Sequence, residues 1–292
     1  MLAATLALFA SFLIGATTLL MKKTIERTNP TTAMLMVTLV GSIVLLFISW
    51  FTVPAYHLNS ASIIYFIVAG IFSPALVRWL YFISLDRIGA SVSSSILATG
   101  PAFTAIMALV FLKEKITPQI GLGIIIVIAG IVIFERDMNN KKQIGKRNRK
   151  DLIFPLLAAF LFSFAVVARK MGLNILDSPI LGVTVGFGTS LVFYAGMCLV
   201  SKKLRASISI ASKDLPYFLG SGIFLTSAWL VMFYALSIGD AIIVTPLANL
   251  HPLVVLVLSY FFLGDIEKIT KGILAGVGVV VVGVLLITTG HA

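Results

Sequence analysis

Apolar stretches about as long as a bilayer is thick follow one another along the chain, and the short segments between them carry nearly all of its charge. A helix needs ~20 apolar residues to cross hydrocarbon. Runs bounded by charge or by Pro and Asn number ten: 2–21, 31–53, 61–83, 90–111, 117–135, 152–168, 179–200, 214–236, 241–263 and 270–289. Runs of this length would leave backbone N–H and C=O groups unpaired in lipid unless they were helical. The fold class expected is therefore all-α integral membrane, with ten transmembrane helices. Ten spans take ~200 residues of the 292, which leaves short connections and no room for a soluble domain. Met1 and Leu2 lead straight into the first run with no basic segment, so it is not read as a cleavable leader.

Composition closes the soluble alternatives. The chain is 59% AVILMFWYC and 11% charged, with a mean hydropathy of +1.09. A soluble domain is ~25% charged, so there is too little polar surface here to cover a globule. A net charge of +11 does not point to nucleic acid, because it sorts by position. Loops after odd-numbered spans, with Lys271 at the start of the last run, hold 17 Lys and Arg, seven of them between Arg136 and Lys150. Loops after even-numbered spans hold four: Lys113, Lys115, Arg169 and Lys170. Arg78 lies within a span. The positive-inside rule then expects the odd loops, including the basic 137–151 loop, in the cytoplasm and both termini outside. Cys198, the single cysteine, cannot form an internal disulfide.

That basic loop divides the chain into two halves of five spans. Residues 1–136 form the first repeat, 137–151 the linker and 152–292 the second repeat. A constant offset of 151 aligns Leu85 with Leu236, Ala90 with Ala241, Pro101 with Pro252, Phe111-Leu112 with Phe262-Leu263, Glu114 with Asp265, and Gly121 with Gly272. Five is odd, so the second half is inserted upside down relative to the first. Inverted repeats place a substrate site at their interface near the midplane. Small residues four apart, as in Gly182/Gly186 and Gly272/Gly276, are read as helix-packing positions.

The landmarks are Tyr81-Phe-Ile-Ser-Leu-Asp-Arg-Ile-Gly-Ala-Ser91, Gly100-Pro101 and Phe111-Leu-Lys-Glu-Lys-Ile-Thr-Pro-Gln-Ile-Gly121 in the first half. In the second they are Tyr234-Ala-Leu-Ser-Ile-Gly-Asp-Ala241, His251-Pro252, Phe262-Leu-Gly-Asp265 and Gly272. In order, spacing and duplication the chain resembles the ten-helix drug/metabolite transporter superfamily, in particular proteins of two EamA-type repeats. It lacks the Trp-rich first helix and the second-helix Arg common in that family, and well-known members hold both termini in the cytoplasm. The resemblance implies a secondary transporter of a small polar metabolite, an amino acid or related solute, with export favoured. It also implies alternating access through a central cavity in the cell membrane. The small multidrug branch uses a membrane-embedded Glu for proton coupling, and no Asp or Glu of this chain is read deep in a span.

Polar residues deep in a span point to function. The ninth span holds Thr245-Pro246-Leu-Ala-Asn249-Leu-His251-Pro252, with His251 near its middle. Pro246 and Pro252 lack an N–H and free the carbonyls of Ile242 and Ala248. Asn249 and His251 would offer donors and acceptors to a cavity there, the alternative being hydrogen bonding between helices. The fourth span matches it with Ser93 to Pro101, of which Thr99 is a binding candidate and Pro101 a helix break. Arg78 either snorkels to the surface or binds a substrate carboxylate or phosphate. Trp79 and Tyr81 follow it, and Trp229 and Tyr234 could wall the cavity from the eighth span.

Other classes fit less well. The three histidines, His57, His251 and His291, are widely spaced, and neither Gly-x-Ser-x-Gly nor His-Glu-x-x-His occurs. A membrane-embedded enzyme has no constellation to work with, and no metal or cofactor is expected. A non-transporting scaffold would not need prolines and polar residues at matching depth in both halves. ATP drive requires a Gly-x-x-x-x-Gly-Lys-[Ser/Thr] loop that the chain does not contain. The partners expected are a small-molecule substrate and the lipid bilayer, with no nucleic acid, and the chain working as a monomer or weak dimer.

Overall fold

With lipid as solvent, backbone polar groups must pair within their own segment, and among the described residues the structure contains helices and turns but no strand. The structure is a computed structural model describing residues 1–25, 30–53, 59–88, 93, 96–139, 149–202, 205, 208, 214–262 and 271–290. Most of the basic linker, His57, His291, Ser94, Ser95 and the Gly264-Asp265 turn lie outside the described residues.

The helices are α1 (Leu2–Ile25), α2 (Pro30–Thr52), α3 (Ser60–Gly70), α4 (Val77–Ile88), α5 (Gly100–Met107) and α6 (Pro118–Asn139). They continue as α7 (Ile153–Ile175), α8 (Pro179–Val200), α9 (Leu215–Ile238), α10 (Ala241–Ala248), α11 (His251–Phe262) and α12 (Lys271–Thr289). Their starts follow local chemistry. Asn59 caps α3, its Oδ1 accepting from the Ala61 N–H at 2.9 Å. Proline stands in the first turn of α5, α8 and α9, where its missing N–H costs nothing.

Among the described residues, seven helical stretches are long and apolar enough to cross a membrane, and Gly100–Leu112, Pro118–Ile133 and Leu274–Thr289 are shorter apolar helices. Four expected spans differ from their sequence reading. The fourth span turns at Ala98–Thr99 before α5 begins at Gly100. The third runs on to Ile88 and is interrupted by a wide turn at Ile71–Leu76. The sixth does not stop at 168 but continues to Ile175, so Arg169 and Lys170 are not loop residues. The ninth is not one helix, because α10 ends at Ala248 and α11 begins at His251.

Lipid tails are as apolar as Leu, so burial alone does not drive these helices together; close packing and hydrogen bonds do. α6 and α12 show how close the approach is. A Cβ on Gly130 would lie 2.9 Å from the Gly276 carbonyl oxygen, and one on Gly283 would lie 2.9 Å from that of Gly123. Elsewhere α1 packs along α9, α2 fits between α8 and α9, and α7 touches α3, α4 and α5. Phe66, Phe218, Leu236 and Ile242 are fully enclosed, while Phe47, Trp50, Val192 and Leu199 face outward. That apolar exterior is suited to lipid and would be a liability in water.

Candidate functional site

The wide turn between α3 and α4 begins the site. Ser73 leaves helical geometry (φ −143°, ψ 124°) ahead of Pro74, and the Ser73–Pro74 peptide is cis. The break frees carbonyls at membrane depth, where they must find other donors. Side chains from α7 and α8 supply them. Arg169 Nη2 donates to the Ser73 oxygen at 2.6 Å, Ser190 Oγ to the Gly70 oxygen at 2.9 Å, and the Tyr194 hydroxyl to the Pro74 oxygen at 3.3 Å.

Directly after the turn, Arg78 and Tyr81 lie three residues apart on one face of α4. They enter a cavity of about 230 Å³ with Ser73, Pro74, Trp229 of α9, Asn249 and His251. Ligand pockets usually span ~300–1,000 Å³, so this one suits a small solute. Two larger clefts, of about 380 and 480 Å³, differ in kind. One sits at the end of the bundle beside Met1 and Asp240, and the other is a groove along α8.

The α10–α11 break forms the opposite wall. Its backbone is paired locally: the Asn249 N–H and Nδ2 both reach the Thr245 oxygen, at 3.1 and 2.9 Å, and the Leu250 N–H reaches that of Leu247 at 3.3 Å. His251 opens α11, and its Nδ1 is buried with no hydrogen-bond partner among the described residues. Pro252 is thus in the first turn of a helix and does not interrupt one, whereas Pro246 lies buried inside α10. Pro101 likewise begins α5.

Of the sequence candidates, the structure brings Arg78, Tyr81, Trp229, Asn249 and His251 to one cavity. Trp79 and Tyr234 point away, 45% and 40% exposed. The Thr99 hydroxyl turns back to the Ile96 oxygen at 2.6 Å, and Thr99 does not line the cavity.

Arg169 is what sequence reasoning missed. It is 2% exposed, its guanidinium carbon lies 4.5 Å from the Trp229 ring centre and 5.8 Å from that of Phe233, and Nη1 has no hydrogen-bond partner among the described residues. The signal was available: Met171 to Leu176 is apolar but for Gly172 and Asn174, and the polar boundary falls at Asp177-Ser178-Pro179. Arg78 is therefore not the only basic residue within a span.

Lys170 works at the corner between α9 and α10. Its Nζ donates to the Leu236 and Gly239 oxygens at 2.7 and 3.0 Å. Glu114 approaches the same corner from the turn after α5, where Lys113 takes a left-handed conformation (φ 56°). Its two carboxylate oxygens accept the Ala241 and Ile242 N–H groups at 2.9 and 3.0 Å, capping α10. Burial lifts the Glu114 carboxyl above the ordinary carboxylate range, and Asp240 adds to the lift. The two N–H bonds and Lys170 pull the other way.

Comparison with known proteins agrees with this architecture. The EamA-like transporter family matches the chain twice, over residues 1–135 and 149–289. A crystal structure of another protein superposes with a TM-score of 0.81 over 98% of this chain and 96% of its own. The two sequences are 15% identical, a likeness of fold alone. No curated protein matches.

Proposed function

Because the chain belongs to the EamA-like transporter family, we propose that it is a secondary transporter moving a small polar metabolite through the cavity bounded by Arg78, Trp229, Asn249 and His251. One observation carries the reading. Arg78 and Tyr81 come from the first family match and Trp229, Asn249 and His251 from the second, so the cavity is shared by the two repeats. In this reading the chain forms ten transmembrane helices as two inverted five-helix repeats, and rocking one against the other gives alternating access. The solute class is an amino acid or related metabolite, and the direction is export.

The protein sits in the cell membrane as a monomer or weak dimer, with the 137–151 loop in the cytoplasm. The transfer of Arg169 and Lys170 from loop to helix supports that orientation, since it leaves Lys113 and Lys115 as the basic residues of the even loops. Reconstitution tests the function: wild-type proteoliposomes carry out saturable flux that Asn249→Ala and His251→Ala abolish without loss of fold. Unchanged flux in both variants would place the pathway elsewhere. Orientation is tested with His57→Cys and Gly145→Cys in a Cys198→Ser background. Membrane-impermeant reagents label position 57 from outside, and outside labelling of position 145 overturns the assignment.

A further inference from the structure

The geometry points to a small organic anion as the transported solute, its carboxylate or phosphate contacting Arg78 and drawn by Arg169 behind it. This rests on the transport reading above but departs from the amino-acid class given there, keeping the related metabolites that carry a net negative charge and no ammonium group. Two guanidiniums stand at membrane depth on either side of one thin wall, and among the described residues neither has a carboxylate partner. Ionisable groups there normally pair with one another or face a pathway. The sequence holds 11 Asp and Glu. Among the described residues none lines the cavity, so an ammonium group entering it meets no described carboxylate, whereas an anion meets the positive charge of Arg78.

Arg78 borders the cavity directly. The helix continues ten residues beyond it to Ile88, ~15 Å at 1.5 Å per residue, twice the distance that the sequence alone implied. Snorkelling toward that end is correspondingly harder. Arg169 borders a gap of about 10 Å³ on the far side of Ser73, Pro74 and Trp229, room for one water. The same three residues line the cavity, so the wall between the guanidiniums is one indole and one dipeptide thick. The hydrogen bond to Ser73 and the Trp229 face hold the Arg169 group in place but do not neutralise it. In a low-dielectric surround its field reaches across that wall. Arg78 is the contact residue and Arg169 the positioning charge.

The test measures thermal stabilisation of the purified full chain in phosphatidylcholine nanodiscs. Probes are succinate, benzoate, glycerol 3-phosphate and inorganic phosphate, against leucine as zwitterion and choline as cation. Saturable stabilisation by at least one free anion is expected, exceeding that by leucine or choline. Arg78→Gln weakens it about tenfold, the loss of one charge-assisted contact. Arg169→Gln also weakens it, and Arg169→Lys, which keeps the charge without the planar fork, restores most of it. If Arg169→Gln does not fold, Arg78→Gln and Arg169→Lys decide.

Equal stabilisation by leucine or choline, or anion binding unaffected by Arg78→Gln, overturns the proposal. So does stabilisation that appears only when phosphatidylglycerol is added to the disc, which would assign the positive charge to lipid headgroups. Flux of a neutral or zwitterionic solute that depends on Asn249 and His251, with no anion binding, would sink the anion assignment and leave the transport reading standing.

Discussion

The backbone gives up regular helix on both sides of the cavity, and the two breaks are made good by opposite means. At Ser73–Pro74 the freed carbonyls are bonded by side chains 96 to 120 residues away, from Arg169, Ser190 and Tyr194. At Asn249–Leu250 the bonds stay within about one turn, to Thr245 and Leu247. A break closed by its neighbours is a joint of the tertiary structure, so disturbing it disturbs packing. A break that closes on itself can change shape at little cost to the rest of the bundle. Stability should therefore concentrate at the first and solute dependence at the second.

The largest effects are expected for glycines beside each break. A Cβ on Gly70 would lie 2.7 Å from the Gly186 carbonyl oxygen, on rigid backbone. One on Gly15 would lie 2.8 Å from Val254 Cβ, which side-chain rotation does not move. Gly70→Ala and Gly15→Ala should each cost roughly 1–3 kcal/mol, the usual penalty for overpacking, but only Gly15→Ala should also lower flux in the protein that folds. Equal flux losses in the two variants would break the contrast.

A smaller effect separates Ser190→Ala from Asn249→Ala. The former leaves the Gly70 oxygen without its side-chain donor, at ~0.6–1.7 kcal/mol for such bonds in membranes. The latter removes a bond within its own turn and should change melting by less than ~0.5 kcal/mol while lowering flux the more. Flux losses in the reverse order would show that the Ser73 side also governs the solute. Tyr194→Phe, which removes a 3.3 Å bond, should cost less than Ser190→Ala in the same assay.

The smallest effect lies away from both breaks and acts as a control. Because the folded protein holds the Glu114 carboxyl above its unfolded value, the stability it contributes is full below about pH 4.5 and declines as pH rises through the folded pKa. The melting difference between wild type and Glu114→Gln should drift against wild type across that interval. A flat difference, or one of opposite slope, contradicts the burial of that carboxyl.

These contrasts also explain what the sequence could and could not disclose. Helical membrane spans are written in the apolar runs, because hydrocarbon permits so few alternatives. The interruption near Asn249 was legible because its prolines and its polar groups are adjacent in the chain. The Ser73 break was not: a single Ser-Pro reads as ordinary, and the donors that sustain it arrive from α7 and α8. Arg169 and Lys170 were assigned to a loop because charge was taken as the mark of a helix end. Their carbonyl and aromatic partners, which make burial tolerable, are visible only in three dimensions. Trp79 and Tyr234 stand outside the cavity for the complementary reason, since nothing in a uniformly apolar helix says which side meets lipid.

The grip of Glu114 and Lys170 on the corner between α9 and α10 has a mechanical consequence. Acid holds the first N–H groups of α10 while base holds the carbonyls that precede it, so that end is clamped from two directions. Eight residues further on, ~12 Å at helical rise, Asn249 stands just past the end of the same helix, beside the cavity. α10 is thus a short lever with a fixed fulcrum, and any tilt it undergoes is delivered almost wholly to the end where Asn249 and His251 stand.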